Sequence, residues 1–146
     1  VTVVPHPVWL DASNAREIVR GYDLVLDGTD DFSTRFAVSD ACLAEGRILV
    51  SGALGRWTGQ VGVFHGQPCY RCLVPEIPPD AETCALVGVV GALAGVIGSM
   101  MALEAVKVIA GAGQPLSGRL LIYDALAAET RTVRIGADPR CPACGA

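Results

Sequence analysis

The sequence predicts an α/β domain built on a doubly wound sheet whose later strands run antiparallel, and three observations lead there. Short apolar runs alternate with helical stretches of about a dozen residues through the first third of the chain. That rhythm then breaks at a short glycine-bounded loop, Gly55-Arg56-Trp57-Thr58-Gly59, with no room for a crossover helix, so the next strand turns back on its predecessor. Two Cys-x-x-Cys pairs, Cys69/Cys72 near the middle and Cys141/Cys144 near residue 146, then punctuate the sequence. With 146 residues, 51% of them hydrophobic, residues 1–146 make a single domain with a substantial core.

Taken in order, Val1 to Val4 is a β-branched run closed by Pro5 and Pro7 and reads as a strand. Asp11 or Ser13 can cap a helix through Ala15, Ile18 and Val19 that stops at Gly21. Asp23 to Asp27 is a nearly continuous apolar strand, as a parallel strand covered on both faces should be, and it breaks at Gly28-Thr29-Asp30-Asp31. A helix over Ser33 to Glu45 places Phe36, Ala37, Ala41 and Ala44 on one face, with Gly46 as its stop. Arg47 to Ala53 is the next buried strand, and Gln60 to His65 is its antiparallel neighbour.

Gly66 to Ala85 is a long proline-rich loop of the kind that is usually functional or mobile. The uncharged stretch Ala85 to Leu103 is long enough for a membrane span, but Gly88, Gly91, Gly95 and Gly98 recur at helical steps and the pattern continues through Glu104 and Lys107. A buried central helix with a close-packing small-residue face, ending near Gly111, is the preferred reading, with a membrane span as the alternative. Lys107 should be solvated or snorkel along that helix. Strands at Arg119 to Asp124 and Thr130 to Ile135 complete the sheet.

A net charge of −4, with one lysine among eleven basic residues, offers no basic stripe and argues against nucleic acid as a partner. Nothing resembles a secretory signal, and six cysteines in a composition of this kind suit a reducing, cytoplasmic setting. Val1 replaces a starting Met, and the first residues already read as domain interior; we expect a fragment of a longer protein.

The cysteine pairs suit a structural zinc site of four thiolates, Cys69, Cys72, Cys141 and Cys144, assembled late in folding because 68 residues separate Cys72 from Cys141. Pro142 presets the second turn, and Gly145 lets its backbone curl so that N–H groups point at sulfur. Two disulfides, a redox pair or an iron–sulfur centre are the alternatives. Cys42 reads as core, and Cys84 stands outside both pairs.

Ligands of open parallel sheets bind beyond the carboxyl ends of strands, where Gly28 to Asp31 leads into a helix, so Asp30 is the first candidate for a functional carboxylate. Its competing role is the helix N-cap. Two carboxylates beside a helix N-terminus repel a bare phosphate, so a phosphate held there needs a divalent cation between them. Asp27 ends its strand and reads as buried and structural.

The run Leu26-Asp27-Gly28-Thr29-Asp30-Asp31-Phe32-Ser33-Thr34-Arg35 resembles the ThiF/MoeB/HesA family, the bacterial relatives of ubiquitin-activating E1 enzymes. So do Val50-Ser51-Gly52-Ala53 with Gly59 to Phe64, Cys69-Tyr70-Arg71-Cys72 and Cys141-Pro142-Ala143-Cys144-Gly145, all in order and across essentially the whole chain. The resemblance implies a Rossmann-like sheet with mixed parallel and antiparallel strands and a structural zinc on the four paired cysteines. It implies ATP- and magnesium-dependent adenylation of the C-terminal glycine of a small ubiquitin-like β-grasp sulfur-carrier protein, of the molybdopterin or thiamin type, with a sulfurtransferase as a further partner and a homodimer as the assembly. By position, Asp30 matches the magnesium-holding aspartate, Gly28 and Thr29 the backbone beside the nucleotide, and Asp31 and Arg35 complete the expected nucleotide site. Cys84 matches a loop cysteine that in some members links covalently to the carrier. Asp31 departs from the family's usual Asn.

No G-x-G-x-x-G or P-loop occurs in the sequence, and the family's phosphate-cradling loop, ribose-binding acid and catalytic lysine and arginines lie in a preceding half, so the chain resembles the C-terminal portion of an adenylating enzyme. Two further readings remain open: a zinc-stapled, non-catalytic module that binds a ubiquitin-like protein, and a dinucleotide-dependent oxidoreductase, which the cysteine pairs do not suit.

Overall fold

The computed structural model describes residues 1–79 and 88–145. Among the described residues the elements follow in chain order as α1 (Ala15–Arg20), β1 (Leu24–Asp27), α2 (Phe32–Ala44), β2 (Ile48–Leu54), β3 (Thr58–Phe64), α3 (Tyr70–Leu73), α4 (Gly91–Ala110), β4 (Arg119–Asp124) and β5 (Glu129–Arg134). The strands form one sheet in the order β1-β2-β3-β4-β5. Only β1 and β2 are parallel, in register Leu24 with Ile48 through Asp27 with Ser51, and each later pair is antiparallel. The mixed sheet expected from the short loop after β2 is therefore present.

Alternation along the strands sends side chains to two cores. Leu49 and Phe64 join α1, α2 and α3 on one face, through Val19, Phe36, Ala41 and Tyr70. Val50, Val61 and Val63 meet Leu93, Ile97 and Met101 of α4 on the other. Cys42 lies in the first core at 2% exposure, and burial pushes its thiol up to about 12, as an inert core cysteine requires.

Local signals explain most element ends. Gly46 at φ 61° stops α2, with its N–H on the Leu43 carbonyl and that of Arg47 on Cys42, the Schellman pattern. Gly111 at φ 61° stops α4 in the same left-handed conformation.

Several expectations need correction. Val1 to Val4 is not a strand: among the described residues no strand pairs with it, and Val1, Val3 and Val4 are exposed, because β propensity without a partner ladder holds nothing. The residue at the α1 N-cap position is Asn14, and Asp11 turns back to accept the N–H and hydroxyl of Ser13. Ala44 is exposed at the end of α2, past the last turn that touches the core. Strand β1 has one sheet neighbour, and Leu26 is exposed. Lys107, by contrast, is half-buried as a snorkelling lysine should be: its Nζ donates to the buried Glu104 at 2.6 Å, and Glu104 also accepts the Leu116 N–H at 2.7 Å.

Helix α4 is buried on one face only, where its composition suggested a buried central helix. Its 20 residues have a mean hydropathy of 1.7, long and apolar enough to cross a membrane, yet one face packs on β2 and β3 while Leu103, Val106 and Ile109 face outward. Nor do its glycines bring it close to the sheet. A Cβ at Gly91, Gly95 or Gly98 would meet nothing within 4 Å. The close approach is made by glycines of the strands instead: a Cβ at Gly52 would lie 2.3 Å from Met101 Sδ, and one at Gly59 2.4 Å from Ile97.

Candidate active site

Where the carboxyl ends of β1 and β2 meet the first half of α4, a cavity of about 560 Å³ opens. Gly28, Thr29 and Asp30 form one wall, Gly52 to Gly55 a second, and Ala94, Ile97 and Gly98 of α4 a third. This is the position at which open α/β sheets take ligands. The size falls within the range of small-molecule sites.

The two neighbouring aspartates have different roles. Asp31 is the N-cap of α2: its carboxylate accepts the Thr34 N–H at 2.8 Å, the Thr34 hydroxyl at 2.8 Å and the Ser33 hydroxyl at 2.5 Å. Those donors, Ser33 first, hold its carboxyl down to about 2. Asp31 does not line the cavity, and the carboxylate in place of the family's usual Asn is absorbed by a capping role that either residue fills. With the cap taken, Asp30 is free: it is exposed, lines the cavity, and has no hydrogen-bond partner among the described residues.

Behind this turn the polar groups are buried and paired. Asp27 is 3% exposed, as its structural reading requires, and accepts the N–H and hydroxyl of Thr29. Arg35 borders the cavity, but its guanidinium is turned into the fold, donating to the carbonyls of Thr29 and Gly52 and to the Ser51 hydroxyl. In this arrangement its guanidinium braces the turn. Nothing in the sequence distinguished that use of a helix-borne arginine from contact with a nucleotide.

Away from the cavity lining, the four cysteines come together. Their Sγ atoms lie within 4.8 Å of one another, with Cys69 and Cys141 at 3.5 Å and Cys72 and Cys144 at 3.4 Å. A tetrahedral zinc with Zn–S of about 2.3 Å needs sulfurs roughly 3.8 Å apart, so the donor set fits that ion, and all four thiols are free of disulfides. N–H groups of Arg71 and Cys72 approach the Cys69 sulfur, and those of Ala143 and Cys144 approach Cys141. Burial pushes the Cys69 thiol up; at Cys141 burial is outweighed by the two N–H donors together with the Cys69 and Cys144 thiols, and the thiol falls to about 7.

Gly145 is sterically required in this knuckle, since a Cβ there would lie 2.6 Å from the Cys141 carbonyl oxygen. Arg71, between the first two cysteines, makes a two-pronged pair with Asp40 of α2 and stacks over Phe36 at 4.0 Å. Cys84, expected as a reactive loop cysteine, lies outside the described residues.

The ThiF family model matches residues 1–143. The chain belongs to the ThiF family. Among curated relatives of this ThiF-family chain, the sulfur carrier protein adenylyltransferase of Thermus thermophilus is 50% identical over 154 residues, covering 99% of this chain and 57% of that protein. The maize adenylyltransferase and sulfurtransferase MOCS3-2 is 48% identical over 150 residues, covering 99% of this chain and 31% of that protein. The chain thus spans a little over half the length of the first relative and about a third of the second. The crystal structure of E. coli MccB with ATP has the same fold, with a TM-score of 0.75 at 14% identity, over 95% of this chain and 44% of that one.

Proposed function

We propose that this chain forms the magnesium- and carrier-facing part of an E1-like adenylyltransferase, which uses ATP to activate the C-terminal glycine carboxylate of a small ubiquitin-like sulfur-carrier protein. The observation that carries the reading is the free carboxylate of Asp30 at the strand-end cavity, beside a neighbour already committed to the helix cap. The names of the adenylyltransferase relatives support the reaction class, and the ATP in the MccB structure supports the nucleotide.

In this reaction the carrier's carboxylate oxygen attacks the α-phosphorus of ATP, the bond to the bridging oxygen breaks, and pyrophosphate leaves with the electron pair. The product is a mixed anhydride that a sulfur donor can then attack. Catalysis of this kind is mostly positioning and charge stabilisation. Asp30 would hold magnesium, a hard cation suited to a carboxylate, and magnesium when bound neutralises charge on the phosphates. Gly28 and Thr29 present backbone beside the nucleotide, and the cavity between that turn and Gly52 to Gly55 would take the carrier's extended tail. The assembly is a homodimer in this reading, for which the outward face of α4 offers apolar surface. Cys69, Cys72, Cys141 and Cys144 hold a structural zinc away from the chemistry.

ATP–pyrophosphate exchange in the full-length protein as its gene encodes it tests this reading. Asp30→Asn should lower exchange by ~100-fold or more, a few kcal/mol of transition-state stabilisation, while leaving melting unchanged. Exchange near wild-type in that variant would return Asp30 to a surface role.

A further inference from the structure

The turn that carries Asp30 is fixed from two sides by buried groups that the chemistry above does not use. From one side Asp27 accepts the Thr29 N–H at 2.9 Å and its hydroxyl at 2.7 Å. From the other, Arg35, 5% exposed, donates to the Thr29 carbonyl, to the Gly52 carbonyl at 2.6 Å and to the Ser51 hydroxyl at 3.2 Å. The two clamps also touch, with Arg35 Nη1 3.7 Å from the Asp27 carboxylate. Every polar group of Thr29 is therefore held, although Thr29 itself is exposed.

Folding alone does not demand this arrangement. A buried Asp–Arg pair loses much of its Coulomb gain to desolvation, and an apolar pair of similar volume holds strands together about as well. What the polar pair adds is orientation: it grips the two peptide units that flank the Thr29 Cα and ties them to Gly52 on the facing wall of the cavity.

We propose that Arg35 and Asp27 are positioning residues for the adenylation step, which preset the Gly28–Asp30 turn so that the Asp30 carboxylate meets the magnesium–nucleotide in one orientation. The inference rests on the reading of Asp30 as the magnesium-holding carboxylate. Without the clamp, Asp30 samples several orientations and the ordering must occur on binding, so metal affinity falls while the rate at saturating metal is largely kept. Partners behind a metal-holding carboxylate commonly contribute about 10- to 100-fold in affinity.

The experiment uses the full-length protein with a non-hydrolysable α,β-methylene ATP. Bound Mn²⁺ is followed by electron paramagnetic resonance, and melting is measured alongside. Arg35→Lys keeps the charge but cannot reach all three acceptors with one ammonium. Thr29→Val removes the hydroxyl at an exposed site where folding is secure, and Thr29→Ser restores it. Arg35→Lys and Thr29→Val should weaken Mn²⁺ binding by about 10-fold or more, and Thr29→Ser should recover it. The control is Glu104→Gln, which disturbs a buried contact that shares no hydrogen-bond partner with the turn and should lower melting without moving the Mn²⁺ midpoint. If Arg35→Lys and Thr29→Val lower melting alone and leave Mn²⁺ affinity within about twofold, the clamp is structural and the inference is wrong. If Asp30→Asn binds Mn²⁺ and exchanges pyrophosphate as wild-type does, the reading of Asp30 falls, and the inference falls with it.

Discussion

The turn after β1 and the paired cysteine knuckles both fix backbone with side-chain acceptors, but they draw on the chain at different ranges. Asp27, Thr29 and Arg35 lie within nine residues, and the remaining partners, Ser51 and Gly52, arrive as soon as β1 and β2 pair. The knuckles join Cys69 to Cys141 across 72 residues. The short-range turn leaves one carboxylate unpaired and facing a cavity, whereas the long-range site spends every thiol on the cluster. A local constraint with one free group is suited to chemistry, and a closed long-range constraint is suited to holding the chain end.

The largest expected effect separates the two regions by what fails. Closing a loop of 72 residues costs roughly 4 kcal/mol in chain entropy, which the zinc proposed here offsets. Cys141→Ser, or removal of metal by a chelator, should lower stability by about 3–5 kcal/mol, with residues 136–145 losing hydrogen-exchange protection before the sheet does. Reduced, freshly purified protein should contain one zinc per chain by mass spectrometry. Protein with no metal, or a Cys141→Ser variant that melts like wild-type, would remove the contrast between the regions. Asp30→Asn is the mirror case, silent in melting and damaging in pyrophosphate exchange.

Glycine substitutions sharpen the comparison at smaller magnitude. At Gly145 an added Cβ would contact three backbone atoms, 2.6 to 2.8 Å away, which cannot swing aside, so Gly145→Ala should cost about 1–3 kcal/mol and loosen zinc. At Gly28 the nearest atom to an added Cβ is Met101 Cε at 3.9 Å, an ordinary contact. Gly28→Ala should change stability by less than about 0.5 kcal/mol, so any loss of nucleotide affinity in that variant belongs to the ligand's approach and not to folding. Equal melting losses in the two variants would contradict this assignment.

The sheet was legible wherever an apolar run ended on a glycine or a polar turn, so β1, α2, β2 and β4 came within about two residues of their observed bounds. The four-cysteine cluster was legible because two Cys-x-x-Cys pairs have few other uses. Pairing and solvation were not. The β-branched Val1 to Val4 carries a strand's composition and no partner, and the glycine spacing of α4 looks the same whether that face is packed or open. The glycines that do admit α4, Gly52 and Gly59, sit in strands where sequence gives no sign of what approaches them. Which of Asp30 and Asp31 caps α2 depended on a one-residue frame, and Asp31 wins because it stands three residues before Thr34, whose N–H and hydroxyl it accepts.

That frame supports the smallest prediction. Asp31 has its carboxyl lowered to about 2 by the Ser33 hydroxyl and then by the Thr34 N–H and hydroxyl, against 3.8 in the unfolded chain. A depressed folded pKa adds stability above the unfolded value and loses it as pH falls through the folded one. The cap's contribution is therefore present at neutral pH and fades between about pH 4 and pH 2. Asp31 is largely exposed, so the effect is limited to what an N-cap contributes, about 1 kcal/mol at most. Asparagine caps comparably without titrating, so Asp31→Asn should melt within a few tenths of a kcal/mol of wild-type at pH 7 and should not share the wild-type's loss from this group on acidification. Urea unfolding at pH 7 and pH 3 measures the difference. A large loss of exchange activity in Asp31→Asn at pH 7, with melting unchanged, would put Asp31 in the cavity with Asp30 and erase the division of labour between the two aspartates.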